Sequence, residues 1–166
     1  MSAHRIRVAK DKAELVQALV ASNDTTGLFN TYVDVLLFAA ALGAKRKKRV
    51  PLGAISQREP APIPQEQFLV RGYDIVIKLL AIVETQDRKI LSSSHYESEQ
   101  KRNSIFEEYV NGGLEELRDE LRGSVDYSET ILLILNSEKF KRNSVEDDFD
   151  LTRFLEIIFS VKVRYF

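Results

Sequence analysis

TYVDVLLFAAALGAKRKKRVPL, residues 31–52, is the stretch on which the reading of this chain turns. Val33, Val35, Leu36, Leu37, Phe38, Ala39, Ala40 and Leu42 are apolar on nearly every face of a helix. A helix apolar all round belongs at the centre of a fold. Asn30 or Thr31 suits its N-cap and Gly43 its C-terminal stop. The small side chains of Ala39, Ala40 and Ala41 let a neighbouring helix come close. Five cations follow without interruption, Lys45, Arg46, Lys47, Lys48 and Arg49, and then Pro51. With Pro60, Pro62 and Pro64 close behind, residues 44–64 cannot be regular helix and read as one long, basic, Pro-containing loop.

Helical spacing resumes on both sides. Upstream, Ala13, Leu15, Val16, Leu19 and Val20 form one stripe over Asp11–Ser22, before a turn at Asn23–Gly27. Downstream, Gln65–Gln86 carries apolar residues at helical intervals, with Ile90 and Leu91 as a short continuation. A helix from about Ser98 reaches Val110, Asn111, Gly112 and Gly113 interrupt it, and Leu114, Leu117 and Leu121 define another stripe closed by Gly123. Asp126 or Ser128 caps a further helix over Ile131–Leu135. The final run, Leu151–Phe166, is apolar, and its Val161–Phe166 end alternates like a strand with no evident partner. The expectation is an all-α fold: a single compact domain, residues 1–166, of five to seven helices.

Length and composition close off several chemistries. At 166 residues the chain has the size of one domain. It contains no Cys, so disulfides, thiolate zinc sites and Cys nucleophiles are absent, and two His cannot make a three-His zinc site. No GxxxxGK[ST], GxGxxG or GxSxG sequence occurs, so phosphate-loop, dinucleotide and hydrolase-elbow chemistry lack support. No metal or cofactor is expected. Residues 33–44 fall well short of the roughly 20 apolar residues a membrane span needs. The N-terminus has the basic residues of a signal peptide without its apolar stretch. A cytoplasmic protein is the expectation.

Charge is the informative property. Residues 1–58 hold ten Lys and Arg against four Asp and Glu, and residues 59–166 hold fourteen against twenty-one. Either the chain presents an anion-attracting face on an acidic body, or its halves attract each other in the fold. The 45–49 run follows the end of the central helix, where cations complement the helix dipole, but that accounts for one or two charges and not five. Lys45, Arg46, Lys47, Lys48 and Arg49 are therefore the candidate binding residues, for nucleic-acid phosphates or for a protein partner. A pI near 6.2 makes any DNA contact local. The carboxylate pairs at 107–108, 115–116 and 119–120 and the acidic 146–150 segment read as solvated faces. Asn111–Gly113 reads as a helix junction rather than an anion-binding notch, because Glu115 and Glu116 would repel the anion. His4 lies near a terminus expected to fray.

Arg88 precedes His95 by an Arg-x6-His spacing. That resembles the active-site spacing of HEPN ribonucleases, in which such a pair would handle the scissile phosphate. The alternative function is accordingly a small helical ribonuclease or toxin-like effector using Arg88 and His95; a serine-flanked loop histidine is the plainer account.

Two stretches carry a second resemblance: residues 31–52, quoted above, and IFEEYVNGGLE, residues 105–115, with its Glu-Tyr-x-Asn-Gly-Gly signature at Glu108–Gly113. In that order they resemble the small proteins described as Dnd-system-associated, which accompany bacterial DNA phosphorothioation genes. The resemblance covers about residues 9–140 and supplies no catalytic residue. It implies a role in DNA modification, restriction or phage defence beside larger enzymes. Taken with the basic run, the charge split and the missing catalytic motifs, the expectation is a non-enzymatic accessory protein, with proteins of that system, or DNA itself, as partners.

Overall fold

The computed structural model describes residues 4–23 and 27–141. Within them the chain is predominantly helical, as the patterning predicts, with six α-helices and one two-stranded sheet. The readings made for Glu146–Asp150, Leu151–Phe166 and Val161–Phe166 lie outside the described residues.

The all-apolar segment is the centre of the molecule. It forms α2 (Tyr32–Lys45), in which all eleven residues Val33–Gly43 are buried. Thr31 caps it, its hydroxyl oxygen accepting from the Asp34 N–H. Its principal partner is α5 (Tyr96–Glu120), a single helix of 25 residues. Here the structure corrects the sequence reading twice. Asn111, Gly112 and Gly113 do not break α5, and Gly43 does not end α2, which runs on to Lys45. These glycines are where the helices cross. A Cβ on Gly113 would overlap the Ala39 carbonyl, lying 2.6 Å from its carbon, and one on Gly43 would strike the Tyr109 carbonyl oxygen. A helix can lie this close to its neighbour's backbone only where the facing position has no side chain.

The remaining elements wrap this pair. A 3-10 turn at Lys10–Lys12 leads into α1 (Ala13–Leu19), shorter than the expected Asp11–Ser22 because Val20 turns extended and bridges to Phe29. The Gln65–Gln86 helix is in fact two, α3 (Glu66–Leu69) and α4 (Asp74–Thr85), separated at Gly72 with φ +72°. Arg88–Leu91 is a docked 3-10 turn that buries Ile90. Asp126 caps α6 (Tyr127–Lys141), its carboxylate accepting from the Ser128 and Glu129 N–H groups. Gly123 has the positive φ expected after α5.

The small sheet pairs β1 (Arg5–Ile6) antiparallel with β2 (Ile63–Pro64), so the end of the basic loop is tied to the N-terminus. Lys10 N–H to Ala54 and Ser56 N–H to Val8 continue that connection. The N-terminal segment is also fixed to α5. Glu107, 1% exposed, accepts from the Arg7 backbone N–H at 2.7 Å and from the Arg7 guanidinium at 2.6–3.1 Å. His4 is half-buried against Tyr96 and 3.3 Å from Glu99, so it does not fray.

Candidate functional site

The two stretches that carry the family resemblance meet in space. α2 delivers the basic run to its own C-terminal end, and the chain then doubles back across α5. Val50 N–H donates to the Glu108 carbonyl at 3.0 Å. Asn111 Nδ2 donates to the carbonyls of Val50 and Pro51 at 3.3 and 3.0 Å. The Lys48 carbonyl occupies the space that a Cβ on Gly112 would need. Glu108, Asn111 and Gly112 of the signature thus form a bed for residues 48–51, and Gly113 lets α2 lie close enough to supply them.

Side chains complete the seam. Arg46 pairs with Glu120 at 3.0 Å. Lys48 Nζ lies 2.9 Å from Glu116 and 3.1 Å from Glu115. Arg49 bridges two elements, donating NH1 to Glu84 of α4 at 2.6 Å and Nε to Glu108 of α5 at 2.5 Å. Tyr109 donates its hydroxyl to the other oxygen of Glu84 at 2.5 Å, and Ser104 donates to Glu108 at 3.3 Å. So the cations of the first half of the chain and the carboxylates of the second do attract each other here. The 107–108 and 115–116 pairs, and Glu120, are committed to cations rather than simply solvated.

Protonation follows from these contacts. Hydrogen bonds to Glu116 and Glu115 raise Lys48 above the usual lysine value. Burial works against the charge on Arg49, and its bonds to Glu108 and Glu84 outweigh that and keep its pKa above the ordinary value. The Tyr109 hydroxyl, and after it Arg49, hold the Glu84 carboxyl below the ordinary carboxylate range. Burial first, and then the bond to Glu84, push the Tyr109 phenol up to about 12. Each partly exposed pair contributes at most about 1 kcal/mol, but a network spanning three elements fixes geometry as well.

Lys47 stands apart. It is exposed, at the apex of the turn, and its side chain makes no hydrogen bond or ion pair with the described residues. Its φ is +52°.

The alternative pair is placed differently. Arg88 lies on the 3-10 turn and His95 at the N-cap of α5, both exposed. His95 Nδ1 sits 3.0 Å from the hydroxyls of Ser92 and Ser94, and among the described residues no hydrogen bond joins it to Arg88. The cation that organises this corner is buried Arg102, which donates to the carbonyls of Ile90 and Ser92 at 2.5 and 2.9 Å. Among the described residues no three His, Asp or Glu are grouped to hold a metal ion, and no helix is long and apolar enough to cross a membrane.

Sequence reasoning identified the basic run and the signature without relating them. It missed Glu84, Glu107 and Arg7 as partners, since nothing local marks residues that meet across 35 or 100 positions.

Comparison with curated proteins and with solved structures finds no match. A family model does match, over residues 5–154, which takes in the basic turn, its bed on α5 and the Arg7–Glu107 clamp. On that match the chain belongs to the family described as DNA sulphur modification system-associated protein 4.

Proposed function

We propose that this chain is a non-enzymatic accessory protein of a DNA sulphur modification system, and that it works by presenting the 45–49 turn to another protein of that system. It does so in the cytoplasm, beside the larger enzymes, with restriction or phage defence as the wider purpose. The observation that carries the reading is the seam itself. A run of five cations is held as a rigid projection by backbone bonds to α5 and by ion pairs to Glu84, Glu108, Glu115, Glu116 and Glu120. Those carboxylates neutralise much of the field that a phosphate backbone would require, because duplex affinity comes from several cations tracking the strand. Protein contact is therefore favoured over DNA contact.

The test is co-purification. The tagged chain is co-expressed with the other proteins of its host's DNA sulphur modification system, as wild type and with Lys45, Arg46, Lys47, Lys48 and Arg49 all changed to Gln. A thermal melt confirms that the variant is folded. The five-fold variant should lose its partner, while His95→Ala and Arg88→Ala should retain it. A folded five-fold variant that still co-purifies refutes the reading. Loss of biological activity in folded His95→Ala, matched by Arg88→Ala, would transfer the function to the ribonuclease alternative.

A further inference from the structure

We infer that Lys47 is the residue through which the turn grips its partner, and that its ligand is a carboxylate side chain on a protein surface. This rests on the reading above and adds the residue and the chemistry. The end of α2 has the two hydrogen bonds of a Schellman motif: Lys48 N–H to the Gly43 carbonyl at 2.8 Å, and Lys47 N–H to the Ala44 carbonyl at 3.1 Å. The motif places one residue in the left-handed region, which glycine ordinarily fills because a β-carbon there crowds the following carbonyl. Lys47 occupies that slot, at φ +52°.

Gln86, at the end of α4, provides the comparison. It is also left-handed, at φ +53°, but its side-chain amide donates back to the Val83 carbonyl at 2.7 Å. Its side chain serves its own helix. The Lys47 side chain has no such contact with the described residues, while Arg46, Lys48 and Arg49 on either side are paired to carboxylates. The helix dipole explains a cation near the end of α2, but not a side chain in the one position where glycine costs less. Conformational strain retained at a residue whose side chain has no partner among the described residues points to a use outside the fold. One ammonium with no partner among the described residues, beside the paired Arg46, Lys48 and Arg49, matches a single carboxylate and not a run of phosphates.

The experiment uses the full chain in the co-expression assay described above, with three further variants. Lys47→Gly should raise the melting midpoint by about 2–4 °C, as relief of one strained position does in a chain of this size, and should lose the partner. Lys47→Arg should keep it. Gln86→Gly relieves the same strain but loses the bond to the Val83 carbonyl, so its midpoint should rise less, and it should co-purify like wild type. If Lys47→Gly co-purifies undiminished while the five-fold Gln variant does not, the turn remains the contact and this inference falls. If the five-fold variant also co-purifies, or the wild type captures none of these proteins, both fall. A lowered midpoint for Lys47→Gly overturns the strain argument. Retention of the wild type on mixed-sequence duplex DNA at about 50 mM salt, lost in Lys47→Gly, makes the ligand a phosphate and overturns the carboxylate assignment.

Discussion

Replacing Gly113 by Ala sets two effects of opposite sign against each other. In the middle of α5, away from any neighbour, Ala would be favoured by about 0.5–1 kcal/mol for its helix propensity and its smaller unfolded-state entropy. At Gly113 the added methyl would lie 2.6 Å from the Ala39 carbonyl carbon, with the oxygen nearer still. Ordinary contact between such atoms is about 3.5–4.0 Å, so α2 and α5 must separate locally by at least about 1 Å. Backbone cannot swing aside as a flexible side chain can. A gap of that size forfeits about a quarter to a half of the dispersion energy of each contact it opens, and overpacking of this kind costs about 1–3 kcal/mol and sometimes more. With the clash near the top of that range, the net effect is a loss of about 2–2.5 kcal/mol. In a domain of this length that lowers the midpoint by about 4–10 °C. Calorimetry and urea unfolding should agree on the loss. Gly53→Ala is the control, because a Cβ there meets nothing within 4 Å and φ is not positive; it should be neutral or slightly stabilising. A Gly113→Ala protein as stable as the wild type would refute the close crossing, and with it the claim that Asn111–Gly113 is a contact and not a break.

Two other outcomes follow from the structure. Leu37, 3% exposed in the centre of α2, should cost about 2–5 kcal/mol when changed to Ala, through lost burial and the residual cavity; a urea-unfolding loss under about 1 kcal/mol would place the helix at the surface. The depressed Glu84 carboxyl contributes stability above the ordinary Glu pKa of about 4.3, and that contribution is lost as pH falls through its lowered folded value. Tyr109→Phe removes the largest cause, so Glu84 should titrate at higher pH by carbon-detected NMR; an unchanged titration would disprove the Tyr109–Glu84 bond. In the same network the Tyr109 phenol, pushed up to about 12, contributes stability that fades as pH rises from about 10 toward 12.

The parts of the fold that could be read from the sequence are those where one residue's environment is written in its neighbours. Val33–Leu42 is apolar on every side, and only burial on every side accommodates that. Glycine has no such transparency. Gly43, Gly112 and Gly113 look like helix ends because glycine is needed there for positive φ, yet the same residue is needed where two backbones touch, and only the partner helix distinguishes the two. Glu107 resembles its neighbour Glu108 in sequence, but one is buried on Arg7 and the other reaches Arg49 at the surface. The basic run was visible as charge, and its pairing was not, because its carboxylates come from Glu84 on α4 and from four positions on α5. The two strands are two residues each, below any useful length of alternation.

The crossing of α2 and α5 also has a consequence in time. α2 is finished at Lys45, and the helix that covers it ends at Glu120, 75 residues later. At a synthesis rate of about 5–20 residues per second, that interval is about 4–15 s. Through it the most apolar segment of the chain has α1 and Phe29 beside it but lacks the helix that is its principal partner. The Lys45–Arg49 run, meanwhile, is not yet matched by the carboxylates of α5. Five like charges beside that apolar segment repel the same run on another chain, and the repulsion weakens once Glu108, Glu115, Glu116 and Glu120 arrive to pair with Arg46, Lys48 and Arg49.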